Sequence, residues 1–176
     1  MKQLMILSIF LWIAACNQAS SESAGPSAEE QLAEANTNLV YGYLDAISSN
    51  NLDAVANALS DDFIGYGPNY GDSVTKAQVL QSWTGNWDSV FTSINYARIE
   101  TTTESIAEGE NMGDWVMDWA NISLNYQDGS SATFMFHGVF KVADSKIVTS
   151  ASFYNVADIL TQRGFTFVPP SGDGDN

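Results

Sequence analysis

Residues 112–156 read MGDWVMDWANISLNYQDGSSATFMFHGVFKVADSKIVTSASFYNV. Aromatic and β-branched residues dominate this stretch, and turn residues interrupt it at Asp128-Gly129 and Asp144-Ser145, the pattern of strands joined by hairpins. Together with the run upstream, four β-prone segments follow one another, at 94–107, 112–126, 131–143 and 146–156. Before residue 94 the period changes. Leu32, Leu39, Tyr43 and Ile47 fall at helical spacing and predict a helix ending at Ser48-Ser49-Asn50-Asn51, while Leu52, Val55, Ala56 and Leu59 repeat the pattern in a shorter one. Thr75-Lys76-Ala77-Gln78 is a capping-box pattern opening a third helix, with Val79, Leu80, Trp83, Trp87 and Phe91 on its buried side. Helices in one block and strands in the next predict an α+β domain, a curved antiparallel sheet covered on one face by three helices.

The turns carry the register. Asp128-Gly129 suits a two-residue hairpin loop, which sets Trp119 opposite Gly138 and Asn121 opposite Phe136. If Asp144-Ser145 closes the next hairpin, Phe136 faces Phe153. The concave face then presents Trp119, Asn121 and Phe136. Tyr43, Tyr66, Trp83 and Trp87 join them as candidates either to line a small-molecule pocket or to fill an ordinary core. On the convex face the same register places Asp118 between His137 and Lys141. A carboxylate beside the only histidine is an acid–base constellation in principle, and equally a solvated charge cluster; an inserted β-bulge would turn such residues inward. Ile122, Met135, Tyr154 and Leu124 form an apolar strip on that face. Such a strip predicts a two-fold homodimer, unless the segment 157–163 or the tail at Phe165 and Phe167 covers it.

The first 15 residues carry Lys2, an apolar run from Leu4 to Ala15 broken only by Ser8, and small residues leading into Cys16. This is a signal-peptide pattern, shorter than the roughly 20 residues a membrane-spanning helix needs. Ile13-Ala14-Ala15-Cys16 resembles the bacterial lipobox, which implies cleavage before Cys16 and lipid on its thiol; anchoring through two or more chains is stable. Asn17 resembles the outer-membrane routing pattern. The expected location is the bacterial cell envelope, at the outer membrane facing the periplasm in a two-membraned host. Residues 16–30 read as a flexible tether, 31–167 as one domain and 168–176 as a disordered acidic tail.

The chain has 21 acidic and 6 basic residues and a net charge of −15; loss of Lys2 with the signal segment makes it −16. Nucleic acid, which needs basic patches, is excluded as a partner. One histidine and a single cysteine argue against a His/Cys metal site, and no motif points to a cofactor. No intramolecular disulfide is possible.

Tyr43-Leu44-Asp45-Ala46, Asn51-Leu52-Asp53-Ala54 and Leu59-Ser60-Asp61-Asp62-Phe63, followed by Lys146-Ile147 and Asn155-Val156-Ala157-Asp158-Ile159-Leu160, resemble the nuclear transport factor 2-like superfamily in order and spacing. Its members include SnoaL-like polyketide cyclases, scytalone dehydratase and ketosteroid isomerase, cone-shaped α+β barrels in which sheet-to-sheet dimers are common. The resemblance implies an oxyanion-holding Tyr at Tyr43, but it sets the isomerase's base on Gly67 and its second acid on Gly138. A glycine can neither take a proton nor donate a side-chain hydrogen bond. Three readings stay open. The chain is a lipid-anchored domain binding a small hydrophobic or aromatic molecule in its cone; or an isomerase- or lyase-type enzyme with Asp118 and His137 as acid and base and Tyr43 as donor; or a non-catalytic envelope interaction protein.

Overall fold

The computed structural model describes residues 25–168. The signal segment, Cys16, the tether up to residue 24 and the tail from residue 169 lie outside the described residues. Ser27 and Glu30 cap each other reciprocally: the Ser27 hydroxyl accepts the Glu30 N–H, and the Glu30 carboxylate accepts the Ser27 N–H. This cap starts α1 (Ala28–Ser48) inside what the sequence pattern assigns to the tether. Asn51 then caps α2 (Leu52–Ala58), and the predicted capping box at Thr75 and Gln78 opens α3 (Lys76–Ser89). Two residues placed on helices by their periodicity lie on strands instead. Leu59 begins β1 (Leu59–Tyr66) and Phe91 begins β3 (Phe91–Ile106).

The six strands, completed by β2 (Ser73–Thr75), β4 (Gly113–Tyr126), β5 (Ser131–Ala143) and β6 (Lys146–Phe153), lie in the order β2-β1-β6-β5-β4-β3. The sheet is curved and does not close, and it is not wholly antiparallel, because β1 runs parallel to β6. The three expected helices are joined by α4 (Val156–Gln162). Its Gln162 side chain donates to the Thr133 carbonyl and accepts the Thr133 N–H, both at 2.9 Å, where β5 extends past the end of β6. An exposed strand edge is a template for unwanted pairing, and one glutamine amide satisfies both groups here.

The register of β4 against β5 differs by one residue from the expected one. The loop holds three residues, Gln127, Asp128 and Gly129, since Tyr126 N–H bonds the Ser130 carbonyl at 2.9 Å and Gly129 has φ +86°. Three-residue hairpins take this form, a turn followed by a left-handed residue. Asp118 therefore lies opposite Gly138 and Trp119 opposite His137. Asp144 and Ser145 do close the next hairpin, with φ of +49° and +57°. A bulge at Val148 then shifts β6 by one, setting Phe153 beside His137. With a side-chain period of two, each shift exchanges the faces. The buried face of β4 and β5 is Val116, Asp118, Ala120, Leu124 and Tyr126 with Phe134, Phe136 and Phe140; Trp119, Asn121 and Met135 are on the convex side.

Candidate functional site

Between the concave sheet and the helices lies a cavity of about 470 Å³. The sheet supplies Phe134, Phe136 and Phe140 from β5, Ile122, Leu124 and Tyr126 from β4, and Ile94 and Tyr96 from β3. Tyr43, Leu44 and Ile47 come down from α1, Val79 and Trp83 from α3, and Val156 and Ile159 from α4. The neutral polar groups among the lining residues include Gln78, Asn86, Ser150 and Ser152, besides the tyrosine hydroxyls. Among the described residues, no carboxylate, imidazole, ammonium or guanidinium group is on the wall.

The tyrosines are poor bases and good donors. Burial raises the Tyr43 hydroxyl well above its ordinary pKa, and its ring packs edge-on to Phe140 with centroids 6.1 Å apart. The Tyr43 hydroxyl has no hydrogen-bond partner among the described residues. Tyr96 is raised by burial first and then by its hydrogen bond to Asp118; Tyr154 is raised by burial. All three stay protonated at neutral pH.

Behind Tyr96 a polar cluster lies between the sheet and α1. A bulge at Ile99 in β3 lets Tyr96 and Arg98 on one side of it and Thr101 on the other all reach the interior face. Asp118, fully buried, accepts the Tyr96 hydroxyl at 2.6 Å and the Thr101 hydroxyl at 2.8 Å. Thr101 in turn accepts the Tyr41 hydroxyl at 2.8 Å. Arg98 bonds the Tyr41 carbonyl at 3.2 Å and the Asp45 carboxylate at 2.7 Å, its guanidinium 4.1 Å from the Tyr41 ring centroid. Its Nε is buried without a partner.

The structure brings Tyr43, Tyr66, Trp83 and Phe136 to the cavity and leaves the other expected residues elsewhere. Trp87 ties α3 to α1, its indole N–H donating to the Ile47 carbonyl at 3.0 Å. Trp119 and Asn121 are exposed on the convex face. The expected Asp118–His137 pair does not form, because the two side chains take opposite faces. His137 Nδ1 lies 3.2 Å from the Asp118 backbone carbonyl, while its ring is stacked between Trp119 and Phe153 at centroid distances of 4.5 and 5.9 Å. The convex apolar strip has a different membership as well: Ile122, Leu124 and Tyr154 line the cavity, and Met135 instead accompanies the Trp119–His137–Phe153 row. Ile122, Leu124 and Tyr126 went unidentified as lining residues, and the odd loop length at Gln127-Asp128-Gly129 is the signal that marks them. Tyr154 is set inward by the bulge at Val148 in β6.

Both glycines aligned with the isomerase's acids are required by packing. A Cβ at Gly138 would lie 2.6 Å from the Phe140 ring and 2.8 Å from that of Phe136, and one at Gly67 would collide with the Ser152 carbonyl oxygen. Among the described residues no group of three or more His, Cys, Asp or Glu side chains is placed to hold a metal ion, and no helix is long and apolar enough to cross a membrane.

A family profile described as a SnoaL-like domain matches residues 40–150. No curated protein matches the chain by sequence. Among solved structures, an LEH-like epoxide hydrolase of M. tuberculosis superimposes with a TM-score of 0.60 at 18% identity, covering 74% of this chain and 90% of its own. IdmH of Streptomyces antibioticus, described as a candidate polyketide cyclase, gives 0.58 at 14% identity over 74% of this chain and 99% of its own. A Catenulispora acidiphila protein of ketosteroid isomerase-like fold, solved with trimethylamine, gives 0.59 at 12% identity over 74% and 97%. These likenesses establish the fold.

Proposed function

Since the chain belongs to the SnoaL-like domain family, we propose that it is a binding domain of that family, taking a small hydrophobic or aromatic molecule into its cone without the isomerase's acid–base residues. One observation carries this: a cavity of about 470 Å³ with aromatic and neutral polar walls and no charged side chain on them. Pockets of this kind hold a ligand by apolar burial and orient it through a few hydrogen bonds. Tyr43 supplies a donor with no hydrogen-bond partner among the described residues. A proton-shuttling enzyme needs a group that changes protonation within reach of the substrate, and the buried carboxylate of Asp118 stands behind Tyr96 rather than on the wall.

The test is a thermal-shift and native mass-spectrometry screen of small aromatic compounds on the mature chain carrying Cys16→Ser. We expect at least one saturable ligand, with binding weakened more than tenfold by Ile122→Trp, which puts an indole into the empty volume. A screen without a hit, or equal binding by Ile122→Trp, removes the reading.

Lipid on Cys16 would hold this domain at the envelope, and the lipobox-like Ile13-Ala14-Ala15-Cys16 supports that placement. Cys16→Ser should move the protein out of the detergent phase in Triton X-114 partitioning; an unchanged distribution contradicts the anchor. A homodimer through the convex face is supported by Met135, 79% exposed, next to the stacked row of Trp119, His137 and Phe153, which no described helix covers. Light scattering at tens of micromolar should report a dimer, and Met135→Glu a folded monomer. A monomeric parent chain defeats the dimer.

A further inference from the structure

The cavity wall is biased in its electrostatics as well as its polarity. Tyr43, Trp83, Phe91, Tyr96, Phe136 and Tyr154 border one volume, and the face of each ring is the negative side of its quadrupole. Among the described residues, no cationic side chain is on the wall to offset them. The buried Asp118 carboxylate stands immediately behind Tyr96, 2.6 Å from its hydroxyl. It is hydrogen-bonded by two hydroxyls and has no ion-pair partner among the described residues. The one guanidinium in the cluster, Arg98, stands 5.6 Å from the Tyr96 ring centroid but is paired with Asp45 at 2.7 Å. Asp45, Arg98 and Asp118 thus set two carboxylates beside one guanidinium. Around this lies a chain of net charge −15, a field that concentrates cations near the mouth and repels anions.

We propose that the cone prefers a compact organic monocation, a tertiary or quaternary amine carrying an apolar group, over a neutral molecule of the same shape. The inference rests on the binding reading above and narrows its ligand class. Ring faces attract an ammonium within about 6 Å, more strongly once it is desolvated. A quaternary ammonium also has no N–H to leave unsatisfied among apolar walls, so its entry costs less than that of a primary amine. Buried charges are screened little by salt, so the contribution of Asp118 persists at physiological ionic strength.

The probes are (4-hydroxyphenyl)trimethylammonium and 4-tert-butylphenol, equal in shape and differing in one charge. They are titrated by calorimetry at pH 6.5 into the mature chain carrying Cys16→Ser. The ammonium should bind at least about tenfold more tightly. Asp118→Asn should remove most of that ratio while leaving 4-tert-butylphenol within about twofold. Trp83→Leu, which keeps an apolar side chain but removes the ring, is the second variant should Asp118→Asn fail to fold; it should weaken the ammonium more than the phenol. Equal affinities, or tighter phenol, overturn the cation preference and leave the cavity as a neutral binder. Binding of neither probe, with no ligand from the wider screen, overturns both.

Discussion

The two faces of the β4–β5 hairpin are built from alternate residues of the same strands, yet they differ in almost every respect. Inward, Ile122 and Leu124 stand with Phe136 and Phe140 around a cavity; outward, Trp119, Met135 and His137 meet solvent. Both faces are aromatic, so composition does not tell them apart. What separates them is one residue of loop length, because each slip of register by one exchanges the faces. Had the loop been Asp128-Gly129 alone, Trp119 would lie inside and Asp118 would be a solvated surface charge.

The most disruptive way to break this comparison is to shift β4 by one residue. Deleting Asn125 keeps the Tyr126–Ser130 pair and the loop, and with the rest of the sheet fixed it turns Asp118 outward and Trp119 toward the core. Loss of the cooperative thermal transition in circular dichroism is the expected result. A deletion variant that melts like its parent means the register is set elsewhere.

Truncations of the two faces should differ almost as sharply. Phe140→Ala, on the cavity wall, should cost about 3–5 kcal/mol in urea denaturation, whereas Met135→Ala should stay within about 0.5 kcal/mol in a monomeric background. Similar costs on both faces contradict the assignment. Gly138→Ala places a methyl against the Phe136 and Phe140 rings; overpacking of this kind costs about 1–3 kcal/mol, and no change in midpoint means that the rings yield into the cavity.

The smallest effect concerns the hairpin's own anchor. The Ser130 hydroxyl and N–H hold the Asp128 pKa down to about 2, with further help from Arg163, 2.9 Å away. Because the folded value lies below the unfolded one, near 4, this contribution is fully present above about pH 4 and is lost as pH falls toward 2. Asp128 is exposed, so the effect on the melting temperature is slight. Asp128→Asn should flatten the decline over that window, and parallel curves for the two proteins remove the anchor.

The sequence reveals its periodic parts most clearly. The α1 stripe of Tyr43 and Ile47, the capping box at Thr75, and the four β-prone runs all lie where local pattern and burial agree. Hidden from it are features set by distant partners. β1 exists because residues 59–66 pair with β6, some 85 positions away, and Leu59 continues a helical pattern up to the point where that pairing takes over. The site was half legible for the same reason. Tyr43, Tyr66 and Trp83 come from segments whose placement does not depend on the hairpin. Trp119 and Asn121 depend on a turn that Asp-Gly leaves ambiguous between two and three residues, and the bulges at Ile99 and Val148 leave no mark in composition.

The central claim, that the concave face binds small molecules and the convex face does not, is tested most directly by methyl NMR. Isoleucine, leucine and methionine methyls are labelled in the Met135→Glu chain, and 4-tert-butylphenol is titrated in. The methyls of Ile94, Ile122, Leu124 and Ile159 should shift along one saturable curve while Met117, on the convex face with Trp119, stays fixed. Shifts confined to Met117, or unmoved cavity methyls at saturating concentrations of every compound in the screen, contradict it.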